Sequence, residues 1–292
     1  RNGGLEPPSS YAITLSSSTA IVREGDISIG LFGGVNFNGP TTLTGNRTLS
    51  LNKDSTFAGT FNSTNRFRLT KTGTGGSLYL SGNNSAYTGD WLVAQGTLCF
   101  SATNAIGQGQ VLAGTGAVAQ LNVAANWTIP NDLAGAGTIN VGSGSADRTL
   151  TLAGGNATPG TTNTAGILTI QNTAGASYNS HVAFGSGSRL TIDVLGTNAV
   201  AGSDYGQLHV VKGNITGLPN ADLVVNVAPA LGKMNLTGKT LTILVTDNGT
   251  VSGAFRSVRF ASLFRGKVNY GAGNVTISDL AYAAPGTVVY FK

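Results

Sequence analysis

The chain has 292 residues and a formal net charge of +5, and only 10% of its residues are charged. Helix surfaces need long unbranched side chains such as those of Glu, Lys and Gln, so this composition excludes a largely helical protein. The chain is also 40% hydrophobic, which is enough to build a core and argues against disorder.

The N-terminal segment alternates less regularly than the rest of the chain. Pro7-Pro8, Gly33-Gly34 and Gly39-Pro40 mark extended segments and turns. We therefore expect residues 1–65 to form an N-terminal cap or irregular β segment and residues 66–292 to form the main body. The chain starts at Arg1 without Met, so we expect a mature form from which a signal peptide has been removed.

Short alternating segments introduced by glycine or a polar turn recur along the chain. Alternation with a period of two places aliphatic side chains on one face of a strand and Thr, Ser or Asn on the other. Examples are RTLSL (47–51), SLYL (77–80), GTINV (137–141), RTLTL (148–152), GILTI (166–170), SRLTI (188–192) and KTLTI (239–243).

The aliphatic anchors of these segments recur about every 20 residues, which suits the coils of a solenoid. One coil cannot bury its apolar face alone, so coils must stack. At about 20 residues per coil and about 4.8 Å between strands, we expect a rod of roughly 70 Å. The anchors are Leu78, Leu98, Val118, Ile139, Leu150, Leu168, Leu190, Leu208, Leu223 and Leu241.

Residues 77–107 carry the most specific pattern. The segment SLYLSGNNSAYTG (77–89) is followed by GTL (96–98) and NAIG (104–107). This resembles the autotransporter-associated β-strand repeat, and weaker likeness extends over roughly residues 70–260. The resemblance implies an all-β fold, a right-handed parallel β-helix, exported to the bacterial surface or medium. No translocator barrel of the kind usual in that family is recognisable after residue 260, so we expect a cleaved passenger or a stand-alone secreted member.

Few residues are available for acid–base chemistry, since the chain has 12 acidic residues and two histidines. Glu24 and Asp26 share one strand face and are candidates for a carboxylate pair, but their glycine-containing segment is typical of a solvated turn. We interpret His181 and His209 as surface residues. We expect no cofactor and no metal site.

A polysaccharide lyase or hydrolase is the alternative that would make the protein an enzyme. Asp193, Asp204 and Asp222 could approach one another across neighbouring coils, as such a site requires. Asp204 precedes Tyr205-Gly206 and is typical of a turn residue that bonds its own backbone. We predict that the protein is not an enzyme.

The single cysteine, Cys99, excludes an internal disulfide and a zinc site built on cysteine clusters. We expect it to pack in or beside a strand. Basic residues gather modestly, and such patches attract anionic glycans or lipid headgroups. Nucleic-acid binding needs denser charge, so we expect none. The basic groups are Arg66, Arg68 and Lys71, and Arg256, Arg259, Arg265 and Lys267.

The ends of a solenoid expose unpaired strand edges that are either capped or joined to another subunit. The apolar segment Val288, Val289, Tyr290 and Phe291 is a candidate self-association strand. We therefore predict an extracellular or cell-surface structural protein that assembles head to tail into a filament or matrix. The alternative is an adhesin that binds surface glycans. No apolar run is long enough to span a membrane as a helix.

Overall fold

The computed structural model describes residues 3–5, 13–15, 21–23, 25–30, 33–63, 65–161, 164–173 and 177–283. Apart from two single-turn 3-10 segments, Leu218–Asn220 and Pro229–Leu231, the regular structure named within these ranges consists of β-strands. Most neighbouring strands pair in parallel and belong to sheets that stack coil on coil. The predicted all-β solenoid is therefore confirmed.

The strands are short because each spans only one side of a coil. In chain order they are β1 (Gly3–Leu5), β2 (Ile13–Leu15), β3 (Ile21–Arg23), β4 (Ile27–Ile29), β5 (Val35–Phe37), β6 (Thr41–Leu43), β7 (Arg47–Leu51), β8 (Ser55–Phe57), β9 (Phe61–Ser63), β10 (Leu69–Thr72), β11 (Ser77–Leu80), β12 (Trp91–Val93), β13 (Thr97–Phe100), β14 (Val111–Ala113), β15 (Val118–Leu121), β16 (Trp127–Ile129), β17 (Leu133–Gly135), β18 (Thr138–Val141), β19 (Arg148–Leu152), β20 (Asn156–Thr161), β21 (Thr164–Ala165), β22 (Ile167–Asn172), β23 (Ser180–Phe184), β24 (Arg189–Val194), β25 (Gln207–Val210), β26 (Ile215–Thr216), β27 (Asp222–Val227), β28 (Thr240–Thr246), β29 (Ser257–Phe260), β30 (Phe264–Tyr270) and β31 (Asn274–Tyr282).

Two long sheets run the length of the described solenoid. The first sheet has the order β1-β4-β7-β10-β12-β14-β17-β20-β24-β27-β29, with β21 paired to β20. The second sheet has the order β2-β5-β8-β11-β13-β15-β18-β22-β25-β28-β31-β30. A third face carries two smaller sheets, β3-β6-β9 and β16-β19-β23-β26. Between these two smaller sheets the third face is built from residues 81–90 and 101–110, which form loops instead of strands.

The coils come in two lengths. In the first sheet Trp91 pairs with Val111, so that coil spans positions 91–111, whereas Leu190 pairs with Leu223 and the later coil spans positions 190–223. The expected period of about 20 residues is therefore right for the first half of the solenoid and too short for the second. Much of the extra length lies in the connections from the first to the second sheet, which grow from residues 136–137 to residues 195–206 and 228–239.

The later aliphatic anchors, from which the period was derived, lie on different faces of the solenoid, so their spacing is not the length of a coil. Leu150 lies on the third face, Leu168 on the second sheet and Leu190 on the first sheet. The partner of Leu98 in the ladder is Ala119, so Val118 is one position out of register.

Because the later coils are longer, the chain forms fewer coils than expected, and eleven strands succeed one another along the first sheet. At about 4.8 Å per strand the solenoid is about 50 Å long, shorter than the expected length of about 70 Å.

The sheets run through the expected boundary between residues 65 and 66 without a break. Leu49 of β7 pairs with Lys71 of β10, and Phe57 of β8 pairs with Leu80 of β11, both in parallel. The described strands before residue 65 therefore belong to the same sheets as those that follow.

The two long sheets end differently. Strand β31 pairs antiparallel with β28, and β30 pairs antiparallel with β31, so the second sheet ends in a hairpin whose outer strand β30 has β31 as its only strand partner in the described part of the chain. The first sheet ends at β29, and in the described part of the chain its partner is β27 alone.

The inward side chains form one continuous apolar core. In the N-terminal half, aromatic rings from successive coils add to the aliphatic rows. Phe37 stacks on Phe57 with centroids 4.3 Å apart, and Phe61 meets Trp91 edge to face at 5.3 Å. Such ring pairs contribute about 0.5–1.5 kcal/mol beyond the area that they bury.

Candidate functional site

The motif that carried the family resemblance lies in the loops of the third face. The buried Asn84 side chain accepts a hydrogen bond from the backbone N–H of Phe61 at 2.8 Å and donates one to the carbonyl of Ala105 at 2.7 Å. Residues 61, 84 and 105 belong to three successive coils. One amide therefore ties three coils together where no strand does so.

The other specific residues of the motif also serve packing. The buried Tyr87 hydroxyl donates to the carbonyl of Phe67 at 2.7 Å, and burial raises the pKa of this phenol. A side chain at Gly89 would place its Cβ 1.9 Å from the same Phe67 oxygen, so only glycine fits there. Gly107 has φ = 76°, a left-handed conformation that favours glycine. The motif is explained by the stacking of coils, without a ligand.

Aspartates at the starts of strands also serve the stacking. In each case one carboxylate oxygen accepts the backbone N–H at the corresponding strand start in the next coil. These contacts join Asp26 to Thr48 (2.7 Å), Asp54 to Ser77 (2.7 Å), Asp90 to Gln110 (3.0 Å), Asp132 to Asn156 (2.7 Å) and Asp147 to Asn179 (2.7 Å). We call these five contacts the aspartate hooks.

The hooks leave these carboxylates engaged. Hydrogen bonds from the backbone and side chain of Asn179 hold the pKa of Asp147 below its usual range. Asp26, which the sequence analysis considered together with Glu24 and assigned to a solvated turn, accepts the backbone N–H of Thr48, and Glu24 lies outside the described residues. Asp147, whose ionised form is favoured by these hydrogen bonds, is poorly suited to general acid catalysis.

The three aspartates considered for an enzyme site are held separately. Asp193 accepts a hydrogen bond from Asn226, and Asp204 accepts one from the backbone N–H of Val200. Asp222 pairs with the Arg256 guanidinium at 2.8 Å. In the ladder Asp193 faces Asn226, four positions along β27 from Asp222, which separates the two backbones by about 13 Å.

Both histidines contact a residue of the next coil. His181 Nδ1 accepts the backbone N–H of Asn214, and His209 Nε2 lies 2.9 Å from the Asp247 carboxylate. Within the ranges that the structure covers, no three His, Cys, Asp or Glu side chains gather in a way that could hold a metal ion.

Lys71 does not belong to the basic surface group in which the sequence placed it. Its side chain is 1% exposed, and its ammonium donates to the carbonyls of Gly73 and Gln95 at the corner between the two long sheets. Desolvation lowers the pKa of Lys71 to about 8. Cys99 is buried, as expected, and desolvation raises the pKa of its thiol to about 12.

A groove of about 590 Å³ crosses the outer face of the first sheet. Its lining combines aliphatic, hydroxyl, amide and guanidinium groups. We name it the outer groove, and its lining residues are Arg68, Leu92, Gln110, Leu112, Ala134, Thr158, Gly160 and Thr161.

The sequence analysis missed the outer groove, although a signal was present. Strands β12 (WLV) and β14 (VLA) are apolar at all three positions, which breaks the alternation seen elsewhere. The outward residues Leu92 and Leu112 are partly exposed and pair with each other in the ladder.

The C-terminal end of the first sheet is the second candidate site. Strand β29 is largely exposed, and its Val258 side chain is 38% exposed. Arg259, Arg265 and Lys267 are exposed on β29 and β30, whereas Arg256 is paired with Asp222. The expected self-association strand at residues 288–291 lies outside the described residues.

No helix in the described ranges is long and apolar enough to cross a membrane. A scan against protein-family models finds no match, and a search of curated proteins finds none. The fold therefore rests on the structure, and the resemblance to the autotransporter-associated repeat stays a prediction.

Proposed function

We propose that this protein is an extracellular or cell-surface structural β-solenoid that associates end to end into a filament or matrix. The observation that carries the proposal is the last strand of the first sheet. In the described part of the chain β29 is paired on one edge only, at the end of a parallel ladder that runs through the whole solenoid.

An unpaired strand edge is a template for another strand. A contact between the unlike ends of two copies is heterologous, so it propagates unless the rotation closes a ring. The second sheet ends in the antiparallel hairpin β30–β31, which does not continue its parallel ladder. Growth would therefore extend the first sheet, with β29 of one copy meeting the N-terminal coil of the next.

The aspartate hooks support a structural role. They assign five of the twelve acidic residues to contacts between coils. An enzyme of the lyase or hydrolase kind needs free acidic groups converging on one groove. Asp193, Asp204 and Asp222 do not converge in this way, so an enzyme is the function that the geometry supports least.

Sedimentation velocity over a dilution series tests the assembly proposal. The variant Val258→Lys places a charge on the β29 edge, which disfavours strand addition. We expect the wild type to form a concentration-dependent series of oligomers and Val258→Lys to remain monomeric. Val200→Lys is the matched control, because Val200 is 51% exposed on a loop away from that edge.

A further variant separates the two candidate strands. If Val289→Lys abolishes assembly and Val258→Lys does not, the segment at residues 288–291 is the contact and the role of β29 is wrong. If the wild type stays monomeric at all concentrations, end-to-end association itself is wrong.

The second candidate function is adhesion through glycans, and the outer groove favours it. The groove offers both aliphatic and polar groups on a surface that the assembly of the first sheet would leave open. Immobilised glycans of known composition, probed with the purified protein, test this function. Saturable binding supports adhesion, and the absence of binding to any of them contradicts it.

A further inference from the structure

We propose that the outer groove binds an acidic oligosaccharide, with the carboxylate of one sugar at Arg68. This inference rests on the adhesive function given above as the second candidate. It names the chemical class of the ligand and the residue that selects for its charge.

The floor of the groove is a regular row. Leu92, Leu112 and Ala134 face outward from β12, β14 and β17 and pair with one another in the ladder. Successive coils are about 4.8 Å apart, so the row follows the solenoid axis for about 10 Å. An aliphatic floor of this kind packs against the C–H face of a pyranose ring.

Polar groups border the floor. Gln110 lies on one side, and Thr158 and Thr161 belong to β20 on the other side. The Thr158 hydroxyl accepts a hydrogen bond from Asn156, which leaves its own proton for a ligand. An amide and hydroxyls beside an apolar floor complement the hydroxyls of a sugar.

Arg68 supplies the charge at one end of the groove. Its side chain is exposed, and in the described part of the chain its guanidinium makes no ion pair. The neighbouring Asp90 is engaged by Arg66 and by the backbone N–H of Gln110. A free guanidinium that can form two parallel hydrogen bonds is suited to a carboxylate.

The geometry disfavours other occupants. Strands β12 and β14 are paired on both edges, so a peptide cannot join the groove floor by strand addition. Thr70 and Thr158 flank the aliphatic row in the ladder, which makes it short for an acyl chain. A nucleic acid needs denser positive charge than one arginine provides.

Isothermal titration calorimetry with a short galacturonate oligomer tests the proposal. The comparison ligands are a neutral cello-oligomer of the same length and a glutamate oligomer of the same charge. We expect the galacturonate oligomer to bind, and Arg68→Gln to weaken this binding about tenfold, as expected for one charge-assisted contact near the surface. Arg265→Gln is the matched control, because Arg265 is exposed on β30 and does not line the groove, and we expect it to change the affinity less than about threefold.

Equal affinity of wild type and Arg68→Gln for the galacturonate oligomer would overturn the assignment of the site while leaving adhesion standing. Equally tight binding of the glutamate oligomer would show that charge alone is recognised, and it would overturn the assignment of an oligosaccharide as the ligand. If neither oligosaccharide binds to the wild type, this inference fails, and the immobilised glycans described above decide separately whether the adhesive function stands. Sedimentation of the same samples reports self-association independently of all three results.

Discussion

Replacement of Asn84 by alanine removes a buried side chain that hydrogen-bonds three coils together at the interruption of the third face. The change leaves the Phe61 N–H and the Ala105 carbonyl without their partners at a site that is 0% exposed. Each buried polar group left unsatisfied costs about 1–3 kcal/mol. We therefore expect Asn84→Ala to lower the free energy of unfolding by about 2–5 kcal/mol.

Equilibrium denaturation in urea, followed by circular dichroism, measures this loss. Asn83→Ala is the matched control, because the exposed Asn83 side chain accepts only a local hydrogen bond from Ser85. We expect Asn83→Ala to lower the free energy of unfolding by less than about 1 kcal/mol. The reasoning is refuted if Asn84→Ala costs no more than Asn83→Ala, since the buried bridge would then contribute nothing to the stacking.

Three further outcomes follow from the titratable groups. The pKa of Lys71 falls from 10.5 to about 8 in the folded chain, so the folded state binds fewer protons than the unfolded state between these values. Stability therefore rises with pH across this window. Between pH 7.5 and 10.5 we expect the free energy of unfolding of the wild type to rise by about 1–3 kcal/mol relative to that of Lys71→Met, as measured by urea titrations. The thiol of Cys99 is buried and its pKa is raised to about 12, so we expect a maleimide to modify it only under unfolding conditions; rapid labelling of the folded protein would contradict its placement. Hydrogen bonds from Arg256 and Ser257 hold the pKa of Asp222 at about 2. The ionised carboxylate therefore stabilises β29 fully above pH 4, and this stabilisation is lost as the pH falls through about 2. We expect Asp222→Asn to speed hydrogen exchange in β29 at pH 7, and unchanged exchange would count against this contact.

Alternation was sufficient to predict the strands because a period of two fixes which side chains face inward. Leu78, Leu98, Leu168 and Leu208 are all buried, as predicted. Alternation does not say to which sheet a strand belongs, because all three faces present the same pattern. The lengths of the later coils therefore could not be predicted, and they depend on loops such as residues 195–206.

The candidate sites were harder to predict than the fold. The hook from Asp132 reaches Asn156 in the next coil, and only the register of the ladder brings the two together. Lys71 was misplaced because its charge was given more weight than its position, although Leu69-Thr70-Lys71 alternates inward, outward, inward. The ladder explains why Lys71 is buried, since it pairs with Leu49 on one side and with Val93 on the other.

Electron microscopy of the purified protein over a range of concentrations tests most directly whether the solenoid is the unit of an assembly. We expect fibres with an axial repeat of about 50 Å, which is the length of one solenoid whose first sheet continues from copy to copy. Single rods of that length at every concentration, or fibres that lack this repeat, would contradict end-to-end association through β29.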